Sequence, residues 1–270
     1  MSGIPIRSRR GMAIETISQE CFVEIGILGL GRFGRFAANL LKRDFAVCAY
    51  DPSRGRAPAG IRRGSLAEAA GKPVVLLCVP ISAMEAICRQ IAVLLVPGQL
   101  VIDTCSVKEK PLEIMMGFLP KEVEVLGTHP LFGPDSAKAG IRGQRIALCQ
   151  GRCRRIGKIK KYLQGLGLRV IVTSAACHDR EMAGTQALFH FLARGVAGLG
   201  IKPGALTTPG PAKLFHDFED VQNDSLQLFR DLERGNRFAG PVRRRVIRNL
   251  CRIEADLARS PGTFLSRKEK

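Results

Sequence analysis

The pattern of apolar and polar positions changes character twice along the chain. Residues 23–28 form a short apolar run of strand character, and it passes directly into Gly29-Leu30-Gly31-Arg32-Phe33-Gly34. Over residues 35–43 the apolar side chains stand at 36, 37, 40 and 41, the spacing of one helical face. Residues 45–50 then read as a second strand. Strand, glycine turn, helix and strand in this order build a parallel pair through a right-handed crossover. The alternation continues with strands at 74–79, 100–103, 123–126, 145–148 and 169–173, and with helices at 82–95, 108–118 and 153–166. Beyond Thr173 the strand pattern ceases. Residues 177–199 carry long helical spacing, 200–211 are a loop rich in Pro, Gly and Thr, and 212–258 read as two or three amphipathic helices.

The predicted fold class is therefore α/β: a doubly wound parallel sheet of the Rossmann kind, followed by an all-helical C-terminal region. The division runs 1–22 as an N-terminal extension, 23–175 as a dinucleotide-binding domain and 176–270 as a helical substrate and dimerisation domain. A helical domain of about 95 residues struggles to cover its own apolar faces, which predicts a homodimer.

Composition narrows the function classes. The chain has 270 residues, 46% of them hydrophobic, and no run long enough to span a bilayer, so no membrane partner is expected. The net charge of +18 admits nucleic acid as well as small anions. The basic residues are scattered and the aromatic content is 6% without tryptophan, which points away from nucleic acid and toward a small anionic substrate. Nine cysteines, several inside apolar runs, read as reduced structural thiols of a cytoplasmic protein. Cys149 and Cys153 lack the further ligands of a zinc set, and no metal is expected.

The glycine turn carries the first chemistry. Gly29 permits the tight turn, Gly31 allows close approach of a pyrophosphate, and Gly34 allows close packing of helix on strand, with Leu30, Arg32 and Phe33 lying between them along the cofactor. The helix N-terminus supplies free amides and a favourable dipole for phosphate. Asp51, at the end of the second strand, is placed to bond the adenosine ribose hydroxyls and to repel a 2′-phosphate, which predicts NAD; it also reads as an Asp-Pro turn opener. Arg54 and Arg56 just beyond it leave NADP open. Val79 and Pro80, at the end of the third strand, complete the expected cofactor contacts.

Ligands of open α/β sheets sit beyond the carboxyl ends of the strands, where two segments stand out. One is Asp103-Thr104-Cys105-Ser106-Val107-Lys108, the other Gly127-Thr128-His129-Pro130-Leu131-Phe132-Gly133-Pro134-Asp135-Ser136. An imidazole titrates near pH 6.5, which suits His129 to take a proton from an alcohol under oxidation, although a histidine in a turn also serves as a simple polar residue. Ser106 is placed to bond the same hydroxyl or the histidine, or to cap a helix starting at Val107, and the two readings are compatible. Lys108, Lys138 and Lys213 are candidate partners for substrate carboxylates, each equally readable as a surface charge.

With these motifs, the sequence resembles the prephenate and arogenate dehydrogenase family. The matching pieces are the glycine turn, the Ser-Val-Lys of 106–108, the Thr128–Ser136 segment, His178-Asp179-Arg180 with Gly184-Thr185-Gln186, and Asp224-Ser225-Leu226 with Leu228-Phe229 and Asn236. The resemblance implies oxidative decarboxylation of a cyclohexadienol, with His129 accepting the ring hydroxyl proton and Ser106 positioning both groups. It also implies that Thr128, His178 and Gln186 lie by the substrate or nicotinamide, that Lys213 stands in for a substrate-binding arginine, and that His216 occupies a position that discriminates substrates in other members. Two alternatives belong to other classes. A nucleotide-sensing module, such as the gating domains of potassium transport, shares the glycine turn but needs no Thr-His-Pro segment. A β-hydroxyacid dehydrogenase needs a lysine on the first long helix of the second domain, and residues 177–200 contain none.

Overall fold

The computed structural model describes residues 24–53 and 55–259. Eight strands form one sheet in the order β3-β2-β1-β4-β5-β6-β7-β8, comprising β1 (Glu24–Leu28), β2 (Ala46–Tyr50), β3 (Arg62–Arg63), β4 (Val74–Leu77), β5 (Leu100–Asp103), β6 (Glu124–Pro130), β7 (Arg145–Gln150) and β8 (Arg169–Thr173). Every neighbouring pair is parallel except β6–β7. The buried strands read as near-continuous apolar runs because both sheet faces are covered. On one face Ile25, Ile27, Leu76, Leu126 and Leu148 pack with α1 (Arg32–Leu41) and α5 (Ile156–Gly165). On the other face Leu28, Val75, Leu77, Val101 and Val125 pack with α2 (Leu66–Ala70), α3 (Ile81–Ala92) and α4 (Glu109–Phe118).

Two features of the sheet depart from the sequence expectation. The short β3 and α2 carry too little periodicity to be read from the pattern; α2 is defined instead by a capping box between Ser65 and Glu68. Strand β6 runs through Pro130, four residues past the expected end at Leu126, because β7 returns antiparallel and pairs His129 with Ala147. His129 is thus a strand residue whose side chain direction is set by a ladder, not a residue of the loop that follows.

The helical region comprises α6 (Ala175–Met182), a π-turn (Ala183–Ala187), α7 (Leu188–Ala197), α8 (Pro209–Gln222), α9 (Leu226–Gly235) and α10 (Ala239–Leu257). Its own buried clusters are small, Ala183 with Ala187 and Ala239, and Ala193 with Phe218 and Val221. Polar contacts at helix ends supply much of its attachment to the sheet domain. The Asp231 carboxylate of α9 accepts the first amide of α3, Ile81 N, at 2.9 Å. The Asp179 carboxylate of α6 accepts Lys108 N at 2.7 Å and Glu109 N at 2.9 Å, capping α4. Free amides at a helix start are donors without intrahelical partners, so a carboxylate from another domain satisfies them and meets the favourable end of the dipole.

Loss of the cap on α3 is expected to be measurable. Asp231→Ala should cost about 1–2 kcal/mol in urea denaturation, and Asp231→Asn, which keeps an acceptor, clearly less. Equal losses in the two variants would show that the carboxylate stabilises by charge alone.

Candidate active site

The register aligns Leu28, Leu77, Asp103 and Gly127 in one row across β1, β4, β5 and β6. The segments that follow these residues therefore share one rim: the glycine turn, Val79 and Pro80, residues 104–108, and His129. At the turn, Gly29 has a φ of +102°, which only glycine adopts without strain, and its amide donates to Tyr50 O at 2.8 Å. A Cβ on Gly34 would collide with the Gly29 carbonyl, so α1 approaches β1 closely. At Gly31, the residue before the first turn of α1, a Cβ would meet nothing within 4 Å, so the backbone there faces open space. This is the cradle that a pyrophosphate requires.

The intervening side chains are not equivalent. Leu30 is buried in the core and Phe33 packs against Phe36 with ring centroids 6.0 Å apart. Arg32 is half exposed and pairs with Asp135 at 2.5 Å and with Asp224 at 3.4 Å, tying the turn to the segment after His129 and to the α8–α9 connection. Asp51 accepts the Leu30 amide at 2.6 Å and the Ser53 amide at 2.8 Å. Burial would raise its carboxyl, but the bonds from Ser53 and Leu30 outweigh this and hold it below the usual range. Arg54 lies outside the described residues; Arg63, on the strand the pattern missed, donates to the Asp51 carbonyl at 2.6 Å and shapes the same loop. Val79 and Pro80 lie at the end of β4, with Val79 next to Gly29.

The chemistry centres on two buried imidazoles. His129 Nδ1 lies 2.9 Å from His178 Nε2, with the ring planes at 71°, and His178 Nδ1 lies 2.8 Å from Asp179 Oδ1. The His129 imidazole is held well below its ordinary pKa, first by burial, then by the neighbouring His178 and the Lys108 ammonium. The Asp179 carbonyl accepts from Asn236 Nδ2 at 2.6 Å, so the motif containing Asn236 anchors the residue that orients His178.

Several sequence-predicted site residues stand differently from expectation. Lys108 is fully buried; its ammonium pairs with Asp103 and reaches Thr128 O at 2.5 Å, so it braces the strand ends from within and offers nothing to a substrate. The Thr128 hydroxyl donates to Asp103 O at 2.6 Å and is likewise engaged inside the sheet. Ser106 does not cap α4, whose N-cap is Lys108 and whose amides are taken by Asp179; it is half-buried between Cys105 and Val107 on the rim. Lys213 is exposed on α8 and paired with Asp217 at 3.1 Å, and His216 is exposed on the same helix. Lys138 is exposed, 3.9 Å from Asp135. Gln186 sits in the π-turn with its Oε1 buried and without a partner among the described residues. His190, one helical turn on, is buried 3.9 Å from Asp224, and burial lowers its pKa to about 4. The four-residue spacing from Gln186 to His190 was the available signal for it.

A mostly parallel sheet that opens at a glycine turn, with a buried histidine pair beside the same rim, defines the dinucleotide-binding class of fold. Residues 37–172 match the family described as prephenate dehydrogenase, nucleotide-binding domain. The chain belongs to this family. It is 30% identical over 223 residues to arogenate dehydrogenase 2, chloroplastic, of Arabidopsis thaliana, covering 77% of this chain and 62% of that one. A second Arabidopsis relative, arogenate dehydrogenase 1, is spanned over 35% of its length. Cyclohexadienyl dehydrogenase of Zymomonas mobilis is 28% identical over 269 residues, covering 90% and 92% of the two chains. The fold matches the crystal structure of prephenate dehydrogenase from A. aeolicus in complex with hydroxyphenyl propionate and NAD+, with a TM-score of 0.67 at 20% identity over 88% of this chain and 92% of that one.

The histidines give a pH dependence of stability. His129 and His190 are depressed in the folded chain and titrate near 6.5 when unfolded, so their contribution is fully present above about pH 6.5 and is lost as pH falls toward the folded values. The melting temperature should be flat from about pH 8 to 7 and fall below about pH 6.5, a slope that His190→Phe reduces. A flat profile down to about pH 5 would mean that the two imidazoles are not buried neutral.

Proposed function

We propose that this protein oxidatively decarboxylates prephenate or arogenate, yielding 4-hydroxyphenylpyruvate or tyrosine, with NAD as its preferred dinucleotide. The observation that carries this reading is the Asp179–His178–His129 chain. A carboxylate only accepts, so His178 donates to it from Nδ1; in this reading its Nε2 accepts from His129 Nδ1. In His129, itself kept neutral by burial, the lone pair is then left on Nε2. That atom is the general base that takes the ring hydroxyl proton. Ser106, on the adjoining rim segment, positions the hydroxyl. The Lys108–Asp103 pair and the β6–β7 ladder hold the base in place from behind.

The residues present fit a dinucleotide: an open backbone at Gly31, the amides opening α1, and an acceptor at Asp51 for ribose hydroxyls. Bound there, a dinucleotide would supply the hydride acceptor for an oxidation of the ring that loses carbon dioxide and leaves it aromatic. A carboxylate at Asp51 disfavours a 2′-phosphate, which supports NAD over NADP. The eight described cysteines are free thiols, in keeping with a reducing, cytoplasmic setting, and among the described residues no helix is long and apolar enough to cross a membrane. A homodimer is supported by α10, where Ile247, Leu250, Ile253 and Leu257 stand 45–62% exposed at helical spacing. Light scattering should return twice the monomer mass, and Leu250→Glu with Ile253→Glu should return the monomer mass.

The decisive assay offers purified protein both substrates with both dinucleotides. Reduction of NAD by at least one substrate, faster than of NADP, is expected; no turnover in any combination would refute the reading. His129→Asn should lower kcat by about 10³-fold or more, and Asp179→Asn by about 10²-fold, each with KM for NAD nearly constant. The acid limb of kcat/KM should lie below about pH 6.5, the ordinary imidazole value.

A further inference from the structure

Basic residues recur along the whole chain, but acidic ones do not. Between Asp135 and Asp179 there are ten lysines and arginines and no aspartate or glutamate, so this stretch alone carries more than half of the net charge of +18. It builds β7, α5 and β8, one end of the sheet. Two of its arginines are engaged by the fold: Arg152 donates to the carbonyls of Val123, Leu119 and Pro120, and Arg155 pairs with Glu124 at 3.1 Å. Arg142, Arg145, Lys160, Lys161 and Arg169 are exposed and have no ion pair among the described residues.

Three of these converge at one corner. Arg145 and Arg169 are register partners in the parallel β7–β8 ladder, so their side chains leave the same face of the sheet, an arrangement of like charges that costs stability unless an anion meets it. A Cβ on Gly167 would lie 2.9 Å from Arg142 Cγ, which seats the Arg142 side chain against the turn that opens β8. Gly143 N donates to Gly167 O and Arg169 N to Gln144 O, both at 2.8 Å, so backbone bonds fix the corner. Lys160 and Lys161 stand in the second half of α5, the helix that runs into it. From this corner β8 continues as an open edge: among the described residues it pairs with β7 alone. Alternate amides and carbonyls of an edge strand point outward without partners. Beyond Arg169 the edge is Val170-Ile171-Val172-Thr173, and Ile171 and Val172, on opposite faces, are 42% and 51% exposed. The strand has no proline and no charge past its first residue, the usual means by which edges are kept from pairing.

We infer that β8 is a docking edge for an extended acidic segment of a partner protein, which adds to the sheet as a ninth strand and places carboxylates on Arg142, Arg145 and Arg169. Strand addition draws its affinity from main-chain hydrogen bonds and its selectivity from side chains at alternate positions. Along this edge Ile171 and Val172 call for apolar side chains beside them, and the corner calls for carboxylates, which guanidinium groups hold with paired parallel donors. Charge chooses the occupant. A second copy brings the same excess of positive charge to the edge, whereas an acidic segment neutralises it. A single-stranded nucleic acid would need rings to stack on, and Tyr162, the one tyrosine, phenylalanine or tryptophan between Asp135 and Asp179, is held by Asp44 at 2.9 Å and packed against Phe45. The surface is also separate from the dinucleotide site: β8 lies five strands from β1, about 24 Å at the usual strand spacing, so a docked segment leaves the glycine turn open.

Fluorescence anisotropy on the full chain tests this with a labelled peptide of about ten residues that alternates glutamate and valine, so that one face is acidic and the other apolar. The same peptide N-methylated throughout, its lysine–valine counterpart and a single-stranded oligodeoxynucleotide of equal charge are compared with it. The glutamate peptide should bind at least about ten-fold more tightly than either altered peptide, and more weakly as salt rises. Arg142→Gln combined with Arg169→Gln should weaken it about ten-fold or more, while the melting temperature stays unchanged or rises because like charges are removed. Affinity for NAD should not change in that variant. Equal binding of the N-methylated peptide would overturn strand addition, and tighter binding of the oligonucleotide, lost in the same variant, would give the surface to nucleic acid. Self-association that the double variant alters would give the edge to a second copy. No binding of the glutamate peptide would end the proposal.

Discussion

The site depends on one buried carboxylate. Asp179 is fully buried and receives three hydrogen bonds from two directions: the first amides of α4 on one side and His178 on the other. A negative charge in such a place is tolerated only because donors surround it, two of them at the favourable end of a helix dipole. The same bonds fix the relative position of the sheet domain and the helical region at the point where the two histidines meet. Orientation of the proposed base is thus a by-product of how the two parts are joined, and the Asn236 side chain secures the carbonyl of the same residue from a third element.

Behind His129 a second buried arrangement works in the same sense. Lys108 spans from the start of α4 to the ends of β5 and β6, binding Asp103 and the Thr128 carbonyl. Burial pushes the Asp103 carboxyl up, and the ammonium of Lys108 opposes that rise. Removing one partner of a buried pair leaves the other uncompensated, which generally costs about 3–5 kcal/mol, so these residues are constrained strongly by structure alone. Their position beside the proposed base explains why a motif can be read as catalytic while half of its side chains are internal braces.

Much of the fold was legible because the sheet is parallel and buried on both faces: each central strand is an uninterrupted apolar run, and each is followed by helical spacing. The glycine turn was legible for a related reason, since a backbone that must approach a neighbour closely admits no other residue at Gly29 and Gly34. What the pattern could not show were elements defined by other means. Strand β3 has two residues, α2 is fixed by a cap, and the extension of β6 exists only because β7 pairs with it. In the site, His129 and His178 were identifiable, but their contact joins residues 49 apart in sequence, and the role of Asp179 arises from the helix it caps. Lys108 and Thr128 were misjudged because the sequence gives residue type and rim position but not the direction in which a side chain turns.

The π-turn at Ala183–Ala187 has a consequence for how this region tolerates change. A wide turn inserts one residue into an otherwise regular spiral and rotates everything after it by roughly a quarter turn relative to what came before. His178 precedes this step; Gln186, His190 and Arg194 come at or after it. Deletion of a single residue there would restore a smooth helix with no loss of apolar content, yet it would rotate the three later side chains about the helix axis relative to His178. Alignment across this short stretch is therefore a matter of phase: a relative lacking the extra residue would keep the composition and turn everything beyond it to a different side.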